Sequence, residues 1–173
     1  MATIEQMKKE FTAVEDRLLL RVSSNDEFAF WFWMARCFIN LVWPALQQAA
    51  AGAFWIQTQP TFGAKRKLIA FEHEMAVSNS DFATPFKETQ KTMPLGDQPI
   101  LLAKMHMCRN ESDAIVMALA PEQSQRIDFV LNSGLLHSLI ELISNSARTP
   151  AWDLSSLVED IPVVAAPNHV TVN

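Results

Sequence analysis

The chain predicts an α+β domain: an antiparallel sheet in β-β-α-α-β-β-β-α order, with helices packed on one face. Apolar runs of strand length recur between clusters of turn-forming residues, and three other segments change to the three- and four-residue spacing of helices. The strongest constraint is residues 28–46, which hold seven aromatic side chains and a single charge, Arg36. So much apolar surface requires burial of both faces or contact with a partner.

Residues 17–22 are short, apolar and bounded by charge, and 23–26 supply a polar turn whose side chains bond the backbone locally. Residues 27–33 resume with β-favouring aromatics, so the two runs form an antiparallel hairpin. At period two, Phe28, Phe30 and Phe32 share one face while Trp31 and Trp33 share the other, and both faces are expected to be shielded from water. Residues 34–51 shift to helix through Phe38, Leu41, Val42, Ala45, Leu46 and Ala49. Pro44 is expected to kink or split that helix near Trp43. Residues 52–63 read as loop, with Phe54, Trp55 and Phe62 expected to fold back on the core.

A second helix over 64–77 carries a stripe of Leu68, Phe71 and Met75. Pro85, Pro94, Gly96 and Pro99 make 82–99 an extended connection. Strands at 100–108, 114–120 and 126–131 form a meander. A helix follows, capped by Asn132 and Ser133 and running to about 146, with Leu135, Leu136, Leu139, Leu142 and Ile143 facing the core. The two strand groups join into one sheet or face each other as a sandwich, and one continuous or strongly bent sheet is the expectation.

At 173 residues the chain suits one core rather than two. The domain is expected over 1–149, and 150–173, with Pro162, Pro167 and no period, as an extended or mobile tail. Trp152 is the exception and is expected to dock. A net charge of −5 argues against nucleic acid as a partner, since such binders carry a basic stripe. Two cysteines are too few for a disulfide framework or a tetrahedral zinc site. Four glycines leave no Gly-rich phosphate loop. The first residues have no apolar run behind Lys8 and Lys9, so the expected location is cytoplasmic. Residues 28–46 approach the length of a membrane span, yet Arg36, Asn40 and Pro44 weigh against insertion.

Chemical motifs are sparse. Glu72, His73 and Glu74 are consecutive and point about 100° apart on a helix, so they read as a solvated face rather than a metal site. In the strand Met105–His106–Met107–Cys108, at most two soft ligands share a side, and methionines filling the core are the simpler reading. Ser133 and His137 lie one turn apart, but no nucleophile elbow surrounds them, and Ser124 and Asp128 have no recognisable context. Cys37 reads as a buried inert thiol. No catalytic residue, metal or cofactor is therefore assigned. Trp31, Trp33, Trp43 and Trp55 are the candidate interaction residues, because tryptophan supplies large area at little entropic cost. Arg36 and His106 are candidate polar anchors.

Residues 15–22, 30–46, 81–86 and 94–102 resemble stretches of small proteobacterial proteins of unassigned function, across most of 10–153. That resemblance implies a bacterial cytosolic origin and nothing about mechanism. The expected function is a non-enzymatic protein-interaction or adaptor module, self-associating through the aromatic strand-helix region. The alternatives are a small apolar-ligand or lipid-binding protein, and an enzyme whose site is assembled from distant residues, with His73, His106 and Glu72 as first candidates.

Overall fold

Period-two alternation of apolar side chains builds eight strands, and all eight join one sheet in the order β4-β3-β2-β1-β7-β6-β5-β8. The structure is a computed structural model; it describes residues 2–82, 84, 86, 91–110, 112–123, 125–148, 152 and 154, with the backbone of 169–172. The strands are β1 (Ala2–Thr12), β2 (Arg17–Ser24), β3 (Ala29–Ala35), β4 (Ile100–Leu101), β5 (Lys104–Arg109), β6 (Ile115–Ala120), β7 (Ile127–Leu131) and β8 (His169–Val172). The helices are α1 (Arg36–Ala51), α2 (Phe54–Gln57), α3 (Phe62–Asn79) and α4 (Ser133–Arg148).

The sheet is mixed, which corrects the purely antiparallel expectation. Ala2 and Thr3 of β1 pair in parallel with Phe129 and Val130 of β7, and Phe32 and Trp33 of β3 pair in parallel with Ile100 and Leu101 of β4. Short polar turns mark only the antiparallel hairpins β1-β2-β3 and β5-β6-β7. The parallel pairs join strands far apart in sequence and leave no local signal. The element order also differs from expectation, because β1, β8 and the single-turn α2 were not expected and the one strand expected over 100–108 is divided into β4 and β5.

One face of the sheet is the core. Leu18, Leu20, Val22, Phe30, Phe32, Met105, Met107, Met117 and Phe129 are buried there in one cluster with Phe38, Ile39, Val42 and Leu46 of α1 and Leu136, Leu139, Ile140 and Ile143 of α4. β3 and β7 are three strand spacings apart, about 14 Å on a flat sheet. Yet the Phe129 ring meets Phe30 edge-on at 5.3 Å and Phe32 at 6.1 Å. The sheet must curl strongly to bring them together, and β1 is where it does so. This long strand pairs with β7 at its start and with β2 along its length, and its register slips by one residue between Ile4 and Gln6.

Several local expectations are corrected. α1 runs unbroken through Pro44; Asn40 and Pro44 face solvent, where water can take up the carbonyl that proline leaves without a donor. Because β3 continues to Ala35 and the helix starts at Arg36, Cys37 falls on the side opposite Phe38 and Ile39 and is an exposed thiol. Phe54, Trp55 and Phe62 do not fold back: they are 75%, 41% and 44% exposed, and Ile56 alone anchors α2. On α3, Phe71 and Met75 are likewise exposed, and Ile69 is its buried residue. α4 is capped by Asn132, whose side-chain oxygen accepts the Leu135 amide at 2.8 Å.

Trp152 docks as expected, donating from its indole to Asp16 at 2.8 Å and packing edge-on against Phe11. Pro85, Ser124 and most of 150–173 lie outside the described residues. The joint at Phe129 is testable: Phe129→Ala is expected to lower unfolding free energy by about 3–5 kcal/mol in urea denaturation. A loss under about 1 kcal/mol would show that the ring does not hold the two halves.

Candidate functional site

Helical spacing on α4 places His137, Glu141 and Asn145 on one side, four residues apart at each step. α3 packs against that side and contributes His73. His73 Nε2 lies 3.2 Å from Glu141 Oε2, and His73 Nδ1 lies 3.3 Å from His137 Nδ1. Asn145 donates to the other Glu141 oxygen at 2.7 Å. One turn earlier, Ser80 at the end of α3 and Ser138 of α4 touch hydroxyl to hydroxyl at 2.6 Å. His73 is therefore no solvated-face residue, as its neighbour Glu74 is, but the central member of a carboxylate–imidazole–imidazole chain.

The proton positions follow from the partners. A carboxylate requires a donor, so neutral His73 carries its proton on Nε2 and accepts at Nδ1 from His137 Nδ1–H. His137 Nε2 is then a bare acceptor, buried without a hydrogen-bond partner among the described residues. Burial holds the His137 pKa down to about 4, and His73 and Arg109 push in the same direction. A proton on Nε2 would be an N–H with no acceptor, which is the structural reason the charged form is disfavoured. The chain ends inside the protein, and among the described residues no three His, Cys, Asp or Glu could hold a metal ion. The arrangement clamps α3 to α4.

Beside the clamp, β1, α4 and the end of α3 enclose an open groove of about 800 Å³. Glu141 and Ser138 reach its wall, and Lys9 of β1 and Phe82 face it from other sides.

The candidate interaction residues do not form one cluster. Trp31 and Trp33 lie half-exposed on the outer face of the sheet, away from the helices. Trp43 is in the core, and Trp55 projects from α2. Arg36, at the start of α1, sits 4.0 Å from Asp16. His106 shares the outer face with Trp31 and Trp33 but lies on β5, in the other half of the sheet; Met105 and Met107 fill the core beside it. Among the described residues, no helix is long and apolar enough to cross a membrane.

The outer face is built of cross-strand rows. Leu19, Trp33 and Leu101 are register partners across β2, β3 and β4, next to Arg21 and Trp31. Across β5, β6 and β7 the corresponding row is Cys108, Val116 and Val130. Arg21 stacks over the Trp31 ring at 4.7 Å and pairs with Glu10 at 3.2 Å. The one site signal legible in sequence but missed was His137 with Glu141, a four-residue spacing hidden by the pairing of His137 with Ser133.

The His137 environment predicts a pH dependence with a definite sign. Its folded pKa is depressed, so the unfolded chain binds the proton first, and stability is present above about pH 6.5 and lost as pH falls toward 4. The gap corresponds to about 3 kcal/mol from this group once pH is below both values. Denaturant unfolding between pH 7 and 4 measures it, and His137→Leu is expected to flatten that interval. An unchanged pH profile in His137→Leu would refute the assignment.

Comparison of the chain with family models, with curated proteins and with solved structures found no match in any of the three.

Proposed function

We propose that the chain is a non-enzymatic protein-interaction module that self-associates through the outer face of its sheet, centred on Trp31 and Trp33. One observation carries the reading. A sheet face turned to water ordinarily alternates to polar residues. Here the outward positions include Trp31, Trp33, Leu101, Val116 and Val130, none of them part of the core cluster, with Leu19 buried beside Trp33. Leu101 is 48% exposed. Such a surface gains by being covered.

A second copy is the occupant that the charges favour. The chain carries a net −5, which repels a like copy at long range. On the Trp31 half of this face, however, the charges are already paired, Lys8 with Glu10 at 2.9 Å and Arg21 with the same Glu10, while on the other half Arg126 pairs with Asp128 at 3.0 Å and Lys104 is exposed. Two such faces meet at Trp31 and Trp33 without stranding a charge. Trp43 contributes through the core and Trp55 belongs to a separate surface. The expected cytoplasmic setting fits this reading, since an exposed thiol at Cys37 and a free Cys108 suit a reducing compartment.

Light scattering on the eluting protein tests this. The wild type is expected to form a dimer at micromolar concentration. Trp33→Glu is expected to weaken it at least tenfold, the loss of an interface tryptophan worth about 2 kcal/mol or more. Trp55→Glu is the control and is expected to change nothing. A monomeric wild type at high micromolar concentration, or equal effects of the two substitutions, would end the proposal.

A further inference from the structure

The groove between β1, α4 and the end of α3 has a chemical asymmetry independent of the outer face. Its carboxylates are already engaged. Glu5 accepts from Lys91 at 2.7 Å, Asp81 accepts from the Thr84 amide at 2.9 Å and from its hydroxyl, and Glu141 is held by His73 and Asn145. Of the groove's two lysines, Lys8 is paired with Glu10. Lys9 has no hydrogen-bond or ion-pair partner among the described residues, although it stands on the core side of β1 beside Met7. Met7, Val77, Phe82, Leu135 and Leu142 supply the apolar part of the lining, beside the neutral polar side chains of Gln6, Ser80, Thr84, Ser138 and Asn145. Phe82 is half-exposed at the rim.

We infer that this groove binds an amphipathic monocarboxylate of the fatty-acid class, its head group on the Lys9 ammonium and its alkyl chain against Met7, Phe82 and Leu142. The size matches, since small-molecule sites run to about 300–1,000 Å³. The charge matches as well. A single negative charge on the head pairs with Lys9, which has no direct partner among the described residues, whereas a doubly charged phosphate would face Glu5, Asp81 and Glu141 while the second lysine, Lys8, is held by Glu10. Burial lowers the Lys9 pKa, against the attraction of Glu141. An ammonium partly stripped of water and lacking a direct partner gains a charge-assisted hydrogen bond when a carboxylate arrives. The half-exposed Phe82 loses water contact in the same event.

Calorimetric titration of the full chain with dodecanoate, dodecanol and dodecyl phosphate tests the inference. Dodecanoate is expected to bind tightest of the three. Lys9→Met is expected to weaken dodecanoate about tenfold or more while leaving dodecanol unchanged, and Lys9→Arg to retain binding. Amide resonances of the wild type, titrated with dodecanoate, give a readout that needs no variant: shifts are expected at Met7, Lys9, Ser138 and Leu142. Absence of dodecanoate binding, tighter binding of dodecyl phosphate, equal weakening of acid and alcohol by Lys9→Met, or shifts confined to the outer face around Trp31 and Trp33 would each overturn it.

Discussion

The edge-on packing of Phe129 against Phe30 and Phe32 is the contact on which the architecture turns. Eight strands laid flat would span roughly 34 Å, taken as seven spacings of about 4.8 Å. Two packed helices about 10 Å apart cover far less than that. A flat sheet would therefore leave much of its apolar inner face wet. Curling at β1 folds the two halves toward each other until their aromatic residues touch, and the concavity then suits α1 and α4. Phe30 and Phe32, stacked at 6.2 Å, present a continuous ring surface to Phe129. Burial of apolar area and closure of the sheet are one event.

That curl separates the molecule into surfaces with different tasks. Inside, α1 and α4 fill the concavity, and α3 lies over α4 through the His73–His137–Glu141 chain rather than through a broad apolar seam, since Ile69 is the only residue of α3 that is fully buried. Outside, the sheet keeps its other face, where Trp31, Trp33, Leu101, Val116 and Val130 stand among polar and charged neighbours. A helix pair held by a polar clamp beside an open groove, and a sheet face with half-exposed tryptophans, are what the packing of the described residues leaves over. Both functional proposals stand on those remainders, one on each side of the sheet, and neither depends on the other.

Much of the strand and helix content was legible because burial imposes a period. The Phe30/Phe32 side against the Trp31/Trp33 side, Met105 and Met107 inward, and the stripe on α4 all follow from alternation or helical spacing. Legibility failed where a local rule was broken by tertiary context. Pro44 does not split α1 because its missing donor lies on the wet side. Phe54, Trp55, Phe71 and Met75 are apolar yet exposed, and hydropathy alone places such residues inside. The clamp was invisible because His73 and His137 are 64 residues apart and only the packing of α3 on α4 joins them. Parallel pairing between distant strands carries no sequence mark at all.

β1 shows how one residue can decide several of these features at once. Ala2 and Ile4 face the core, and strict alternation would send Gln6, Lys8 and Glu10 inward after them. Instead, Ile4 pairs with Ser24 and Gln6 with Ser23, so Glu5 is the extra residue and the phase reverses. Met7, Lys9 and Phe11 consequently sit opposite Val22, Leu20 and Leu18 on the core side. The same reversal hides the strand from a search for period two, because its apolar positions fall on even numbers before the slip and odd numbers after it. It also sorts the charges. Lys8 and Glu10 stay outside, where they pair with each other and Glu10 reaches Arg21. Lys9 is turned toward α4, into a groove whose acidic groups are already bonded elsewhere. Keeping the residue but flattening the bulge into strict alternation would turn Lys9 to the outer face and Glu10 to the core, so a single bulge sets which charges stay on the sheet's exposed side and which cation lines the groove.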